Sequence, residues 1–295
     1  MGNKMNYILE NDKIKLTVAD HGAEIRSLIR KSDGKELMWQ ADPAYWGRTA
    51  PVLFPLVGNY YQKKSILKGQ TYEMGQHGFA RDMDFKLARQ TEDELVFLLK
   101  DNEESRKKYP LSFLLIITYR IDGGSVNVEW KVENTNDETM YFSIGGHPAF
   151  NCDLDTYTLR FENGGQPNTS ITSKIIADDG SGCLGDEEKT YQLDNGILAM
   201  SDELFSRDAL IIEDRQSDKV TLVDDKGQDV IAVKFDAPLF GVWSPVGKHA
   251  PFVCIEPWYG RCDRVGFNQK LEEREYGNVL NNDTFIATYS IEVCS

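Results

Sequence analysis

The chain has 295 residues, 41% of them hydrophobic, enough for one large core or two ordinary ones. Its formal net charge of −14 sets up a negative field that opposes phosphate backbones and anionic lipid, so neither nucleic acid nor a membrane is an expected partner and neutral small molecules are favoured. No apolar run approaches the roughly 18 residues that a helical membrane span requires.

At the N-terminus, Met1 to Glu10 is polar and leads into Asn11-Asp12-Lys13, which does not read as a secretory signal. Met1 to Lys4 are candidate leader residues before an alternative start at Met5, and the expected compartment is the cytoplasm. From Ile14 the pattern turns to period-two alternation. Ile14, Leu16 and Val18 mark a first strand, and Asp33-Gly34 a turn. The aromatic and proline-rich stretch Trp46-Gly47-Arg48 to Pro55 follows, then Gln76-His77-Gly78-Phe79-Ala80-Arg81, where glycines let the backbone pass close to a neighbour. Leu95 to Leu99 reads as a strand, and Asn102 to Lys108 as a short charged surface helix.

Strands are again expected at Phe113 to Ile121 and Val126 to Val132, joined by the turn Asp122-Gly123-Gly124. Met140 to Ile144 runs directly into Gly145-Gly146-His147-Pro148, where Pro148 holds His147 extended. After a strand at Tyr157 to Phe161, the glycine-, serine- and aspartate-rich stretch Asn163 to Asp186 reads as long loops over one rim. Asn195-Gly196 and Asp225-Lys226-Gly227 are turns, and Val220 to Val223 and Val230 to Phe235 are strands. The apolar run Phe252 to Ile255 ends at Glu256, and Pro257-Trp258-Tyr259-Gly260 is expected to turn the chain. Lys270 to Tyr276 is a weak helical pattern, and Phe285 to Val293 a closing strand.

Many strands and few short helices, with no repeat and no linker, predict an all-β chain: one domain over residues 1–295 in which two large antiparallel sheets pack face to face. Five cysteines, an odd number without C-x-x-C spacing, indicate free thiols rather than a disulfide framework.

Only four histidines are present, and His77 and His147 both stand among glycines and aromatic rings. With Glu256 they offer two imidazoles and a carboxylate, groups that can hold a sugar and move its protons. Each also has a structural alternative. His77 can serve a loop, His147 can cap a strand end, and Glu256 can pair with Arg261 or Arg264. A metal face of two histidines and one carboxylate competes, but no H-x-H, H-x-D or H-E-x-x-H spacing gathers ligands locally, so no metal is expected. Nucleotide-binding glycine motifs and a serine-hydrolase elbow are absent, and no cofactor is indicated.

Trp46-Gly47-Arg48 and Ala50-Pro51-Val52-Leu53-Phe54-Pro55, followed in order by the His77, His147 and Glu256 segments, resemble the aldose 1-epimerase or galactose-mutarotase-like superfamily, and within it the bacterial LacX-like branch. The resemblance covers nearly the whole chain. It implies a β-supersandwich and cofactor-free interconversion of the α and β anomers of a hexose such as galactose or glucose, by acid/base ring opening. It implies Glu256 as general base, His147 as general acid and His77 as a second histidine on ring hydroxyls. Arg81 and Arg48 resemble the substrate-facing arginines of hexose-6-phosphate mutarotases, whereas Asn59 stands where relatives commonly carry arginine. Asp236, before Trp243, is matched to the hydroxyl-binding aspartate. A carboxylate near His147 is expected to favour the charged imidazole, the two groups facing one another across a sugar-sized hollow. The alternatives are a hexose-6-phosphate mutarotase, a non-catalytic sugar-binding protein and a glycosidase. The expected assembly is a monomer or weak homodimer.

Overall fold

The computed structural model describes residues 5–294; the candidate leader Met1 to Lys4 lies outside them. A ten-stranded antiparallel sheet carries the expected strands Glu94–Lys100, Phe113–Asp122, Ser125–Asn134, Thr158–Asn163, Lys219–Val223, Asp229–Phe235 and Thr284–Val293. Most were legible because alternation puts one side chain in two into the core, whereas Lys219–Val223 and Asp229–Phe235 are buried on both faces and read as strands from their β-branched residues. Along Ser125–Asn134, Val126, Val128, Trp130 and Val132 are buried.

An eight-stranded sheet packs against it, and the two share one core cluster that includes Ile117 and Trp130 from the first and Val253, Ile255 and Phe240 from the second. Its spatial order runs Leu184–Gln192, Ser170–Ile176, Leu210–Ile212, Leu239–Trp243, Phe252–Tyr259, Ile144–Gly146 and Val52–Leu53, with Ala149–Asn151 also on Phe252–Tyr259. The result is a β-sandwich, with Ile14–Ala19 in a smaller four-stranded sheet at the N-terminus.

Three expectations need correction. Residues 163–186 are not simply rim loops: Ser170–Ile176 pairs with Leu184–Gln192 as the edge of the eight-stranded sheet. Its outermost strand is charged and largely exposed, which protects a sheet edge but removes the hydrophobic signal of a strand. Second, the strand bearing Glu256 does not stop there. It continues through Pro257, which pairs with Phe240, to Tyr259, and the reversal comes at Gly260 (φ +122°), where a Cβ would lie 2.2 Å from Ser143 Oγ. Third, Lys270 to Tyr276 holds only the 3-10 turn Leu271–Glu273. The helix Glu103–Lys108 is present, capped by Asn102.

Candidate active site

Along Phe252–Tyr259, Val253 and Ile255 face the shared core, so Phe252, Cys254, Glu256 and Trp258 face the opposite side of the eight-stranded sheet. Two small apolar clusters lie on that side, one containing Phe252 and Cys254 and the other Trp258. Glu256 stands between them at 1% exposure, at the wall of a hollow of about 250 Å³ that is also lined by His77, Arg81, His147, Trp46, Trp243, Trp258 and Asp208.

His147 follows the strand Ile144–Gly146, the neighbour of Phe252–Tyr259, and adjacency in the sheet carries its Nε2 to 3.4 Å from Glu256 Oε1. The two groups are therefore side by side, not across the hollow from one another. Nδ1 of His147 is buried without a protein partner among the described residues, and Glu256 faces the other ring nitrogen. Trp46 stacks on the imidazole at 4.7 Å and 28°, and Trp243 meets it edge-on at 5.4 Å. The turn that carries Trp46 is tied down on several sides. Trp39 Nε1–H donates to the Trp46 carbonyl (2.8 Å), Lys248 Nζ donates to the carbonyls of Ala44 and Tyr45, and the buried Glu24 accepts from the N–H groups of Thr49 and Ala50.

Trp258 Nε1–H donates to Glu256 Oε2 at 3.2 Å. Two glycines on flanking strands make this possible. A Cβ at Gly145 would lie 2.6 Å from Trp258 Cδ1, and one at Gly241 2.4 Å from its ring carbons, so the indole can lie flat only over bare backbone. Glu256 thus makes neither of the ion pairs the sequence allowed. Arg261 pairs with Glu213 and Glu275, and Arg264 with Glu275.

His77 sits in a loop at φ +65°, and Gly78 beside it lies so close to Phe54 that a Cβ would meet its carbonyl oxygen at 2.3 Å. Gly58 N–H donates to His77 Nδ1 at 3.1 Å, which puts the proton of the neutral ring on Nε2 and makes that nitrogen a donor. The His77 and His147 rings are 5.6 Å apart.

Burial decides the protonation here. It pulls His147 down to about 3, with repulsion from Arg81 and Arg48 adding to it, and pulls His77 well below its ordinary range. Burial also pushes Glu256 well above the usual carboxylate range; the Trp258 hydrogen bond opposes this, and Asp208 reinforces it. The expected charged imidazole is therefore not the resting state, because desolvation of two touching groups outweighs their attraction. Both shifts favour the uncharged forms, a carboxyl beside a neutral imidazole, with one titratable proton between them.

Arg81 lines the hollow. Its Nη2 donates to the Gln76 carbonyl (2.8 Å), its buried Nε has no hydrogen-bond partner among the described residues, and burial lowers it to about 10. Arg48 does not reach the lining; it pairs with Asp82 at 2.7 Å. Asp236 is the misplaced residue of the set. It follows a strand of the opposite, ten-stranded sheet, its side chain is 92% exposed, and it pairs with Arg215. The carboxylate in the hollow is Asp208, raised by burial and held at φ +74° before the strand Leu210–Ile212. Its only sequence signal is an aspartate immediately before an apolar run. Ligand atoms of His147, Cys254 and Glu256 lie within 4.8 Å of one another, so the cluster that forms joins one histidine to a thiol rather than two histidines to a carboxylate. Burial keeps that thiol protonated, a poor form for ligating a metal.

A family model described as aldose 1-epimerase matches residues 5–265. The plasmid and chromosomal forms of Protein LacX from Lactococcus lactis subsp. lactis are each 33% identical over 304 aligned positions, covering 98% of this chain and 99% of theirs. Among solved structures, a galactose mutarotase related enzyme from Lactobacillus acidophilus superposes with TM-score 0.92 at 38% identity, covering 99% of this chain and 98% of that one. A galactose mutarotase-like protein from Lactobacillus casei gives TM-score 0.89 at 29% identity, covering 98% of this chain and 100% of that one.

Proposed function

The chain belongs to the aldose 1-epimerase family, and from that premise we propose that it is a cofactor-free mutarotase acting on an unphosphorylated hexose such as galactose or glucose. One observation carries the reading: an imidazole and a carboxyl group 3.4 Å apart in the wall of a hollow about the size of a single sugar ring.

Ring opening needs a base at the anomeric hydroxyl and an acid at the ring oxygen, so that no bare alkoxide forms. Transfer of the shared proton from Glu256 to His147 creates that combination without exchange with solvent. Sugar hydroxyls supply the carboxylate with the donors that burial denies it, which favours the transfer once substrate is bound. Glu256 then takes the O1 proton while His147 Nε2 donates to O5, and the C1–O5 bond breaks. Rotation about C1–C2 and the reverse transfers close the other anomer. His77 Nε2–H, Arg81 and Asp208 hold hydroxyls, and Trp243 offers its ring to a sugar face.

A neutral hexose is favoured over a hexose 6-phosphate because Arg48 is engaged by Asp82, and Arg81, whose charge burial already disfavours, is the one arginine or lysine among the described residues that line the hollow. The test is polarimetry and anomer-resolved NMR on freshly dissolved α-galactose and α-glucose. Relaxation at the spontaneous rate, in the presence of calorimetrically detected sugar binding, would reduce the chain to a binding protein.

A further inference from the structure

A turn of the small N-terminal sheet reaches the site. Between Ile14–Ala19 and Ile25–Arg30 the chain passes through Gly22 at φ +73° and Ala23 at φ +46°, and it is anchored on two sides. Tyr119 of the ten-stranded sheet donates its hydroxyl to the Ala23 carbonyl (2.6 Å), and Gly22 N–H donates to the Met83 carbonyl (2.8 Å). A Cβ at Gly22 would lie 2.8 Å from the Arg81 carbonyl oxygen, so the turn rests directly on the backbone of a residue that lines the hollow. At the end of this turn stands Glu24, 4% exposed. Its Oε1 accepts from two consecutive N–H groups, those of Thr49 (2.7 Å) and Ala50 (2.9 Å).

The backbone that Glu24 holds is the backbone that holds His147. The eight-stranded sheet ends at Val52–Leu53, which pairs with Gly145 and Gly146. The residues before Val52 continue that pairing: His147 N–H donates to the Pro51 carbonyl (3.1 Å) and Ala149 N–H to the Thr49 carbonyl (3.0 Å). The same segment presents Trp46 to the face of the imidazole. Building on the mutarotase reading, we propose that Glu24 is a positioning residue: by accepting from Thr49 and Ala50 it fixes the edge segment, and through that segment the placement of His147 Nε2 3.4 Å from Glu256 Oε1. The quality it needs is the reach of an acceptor rather than charge. Arg26 bonds the other oxygen, Oε2, at 2.8 Å, and an amide oxygen can occupy the place of Oε1. The competing role, support of the charge on Arg81, belongs to sugar binding and would act through KM.

The test is a series at position 24 with two readings. Aspartate keeps the charge but is shorter by one methylene, about 1.5 Å, and cannot hold both N–H groups; glutamine keeps the reach and drops the charge. Glu24→Gln is expected to keep kcat for galactose within about threefold of wild type. Glu24→Asp and Glu24→Ala should lose about 10–10²-fold in kcat with KM moved by less than about threefold, since a displacement of about 1 Å at reacting groups can cost about 10²-fold. The second reading needs no turnover. In the sugar-free protein at pH 7, the imidazole Cε1–H signal of His147, identified by its absence in His147→Ala, should coincide with wild type in Glu24→Gln and shift in Glu24→Asp. Arg26→Ala, which leaves Oε1 in place, should match wild type in both readings. The reverse order, aspartate normal and glutamine impaired, makes charge the cause and overturns the proposal. So does a loss confined to KM, equal kcat across the series, or an unmoved His147 signal in Glu24→Asp. Absence of anomer exchange in the wild type fells the mutarotase reading instead, and the His147 signals then decide the positioning role by themselves.

Discussion

Trp258→Phe isolates the electrostatics of the catalytic pair. The substitution keeps a flat ring over Gly145 and Gly241 but deletes the Nε1–H that reaches Glu256 Oε2. A hydrogen bond to a charged group is worth about 1.5–3 kcal/mol, and 3.2 Å is at the long end, so about 1.5 kcal/mol is the appropriate figure. That bond stabilises every form in which Glu256 is ionised. With one proton on the pair, losing it shifts the balance away from the carboxylate–imidazolium form, so the plateau of kcat/KM falls roughly tenfold. Loss of the last proton also becomes harder, and the alkaline limb moves up by about one pH unit. The acid limb, where the second proton goes onto His147 beside an already neutral carboxyl, stays where it was. Anomer-exchange NMR at saturating and trace galactose across the pH range reads all three features. An unchanged plateau with an unmoved alkaline limb would refute the assignment of Glu256 as the base.

Glu256→Gln and His147→Ala should each lose about 10²–10⁴ in kcat with the far-ultraviolet circular dichroism of the wild type, since general acid–base catalysis typically contributes that much; near-normal turnover in either variant contradicts the assigned roles. Arg81→Ala should raise KM by more than it lowers kcat, as a hydroxyl-binding group would, and steady-state polarimetry separates the two. Asp208→Asn is expected to weaken sugar binding severalfold in calorimetry, while Asp236→Ala, on the far sheet, leaves both Kd and rate unchanged. The pH dependence of stability also carries a sign. His147 ionises near 6.5 when unfolded but near 3 when folded, so the unfolded chain binds the extra proton in between, and stability falls as pH drops through that window. His147→Gln should therefore lose less stability than wild type between pH 7 and 4.5 in urea titrations; His77 contributes to the remaining slope with the same sign, and Glu256, raised by burial, with the opposite one.

What the sequence made legible follows from burial. Strands of the ten-stranded sheet such as Ser125–Asn134 and Thr284–Val293 alternate because one face is core and the other is more exposed, and both matched expectation to within a residue at the N-terminal side. The eight-stranded sheet has much of both faces covered. Phe252–Tyr259 is buried at every position but the last, so its alternation vanishes and Pro257 reads as a break. The charged edge strand Leu184–Gln192 erased its own signal in the opposite way. His77, His147 and Glu256 were legible because glycines, prolines and aromatics surround them. Asp208 was not, because what makes it a pocket residue is the partner strand that brings it near Trp243, and pairing across such distances leaves no local pattern. Charge pairing misled in one respect: proximity of a carboxylate to an imidazole implies an ion pair only where water shares the cost of ionisation.

Trp39, Trp46, Trp243 and Trp258, four of the five indoles in the chain, border this one corner of the sandwich, and Trp130 alone sits in the central core. The molecule's ultraviolet emission is consequently a local signal rather than a global one. Ligand arrival can be followed without a label. In denaturant, fluorescence will trace the loosening of this corner while circular dichroism traces the sheets, and any separation between the two curves measures how far the corner opens ahead of the rest.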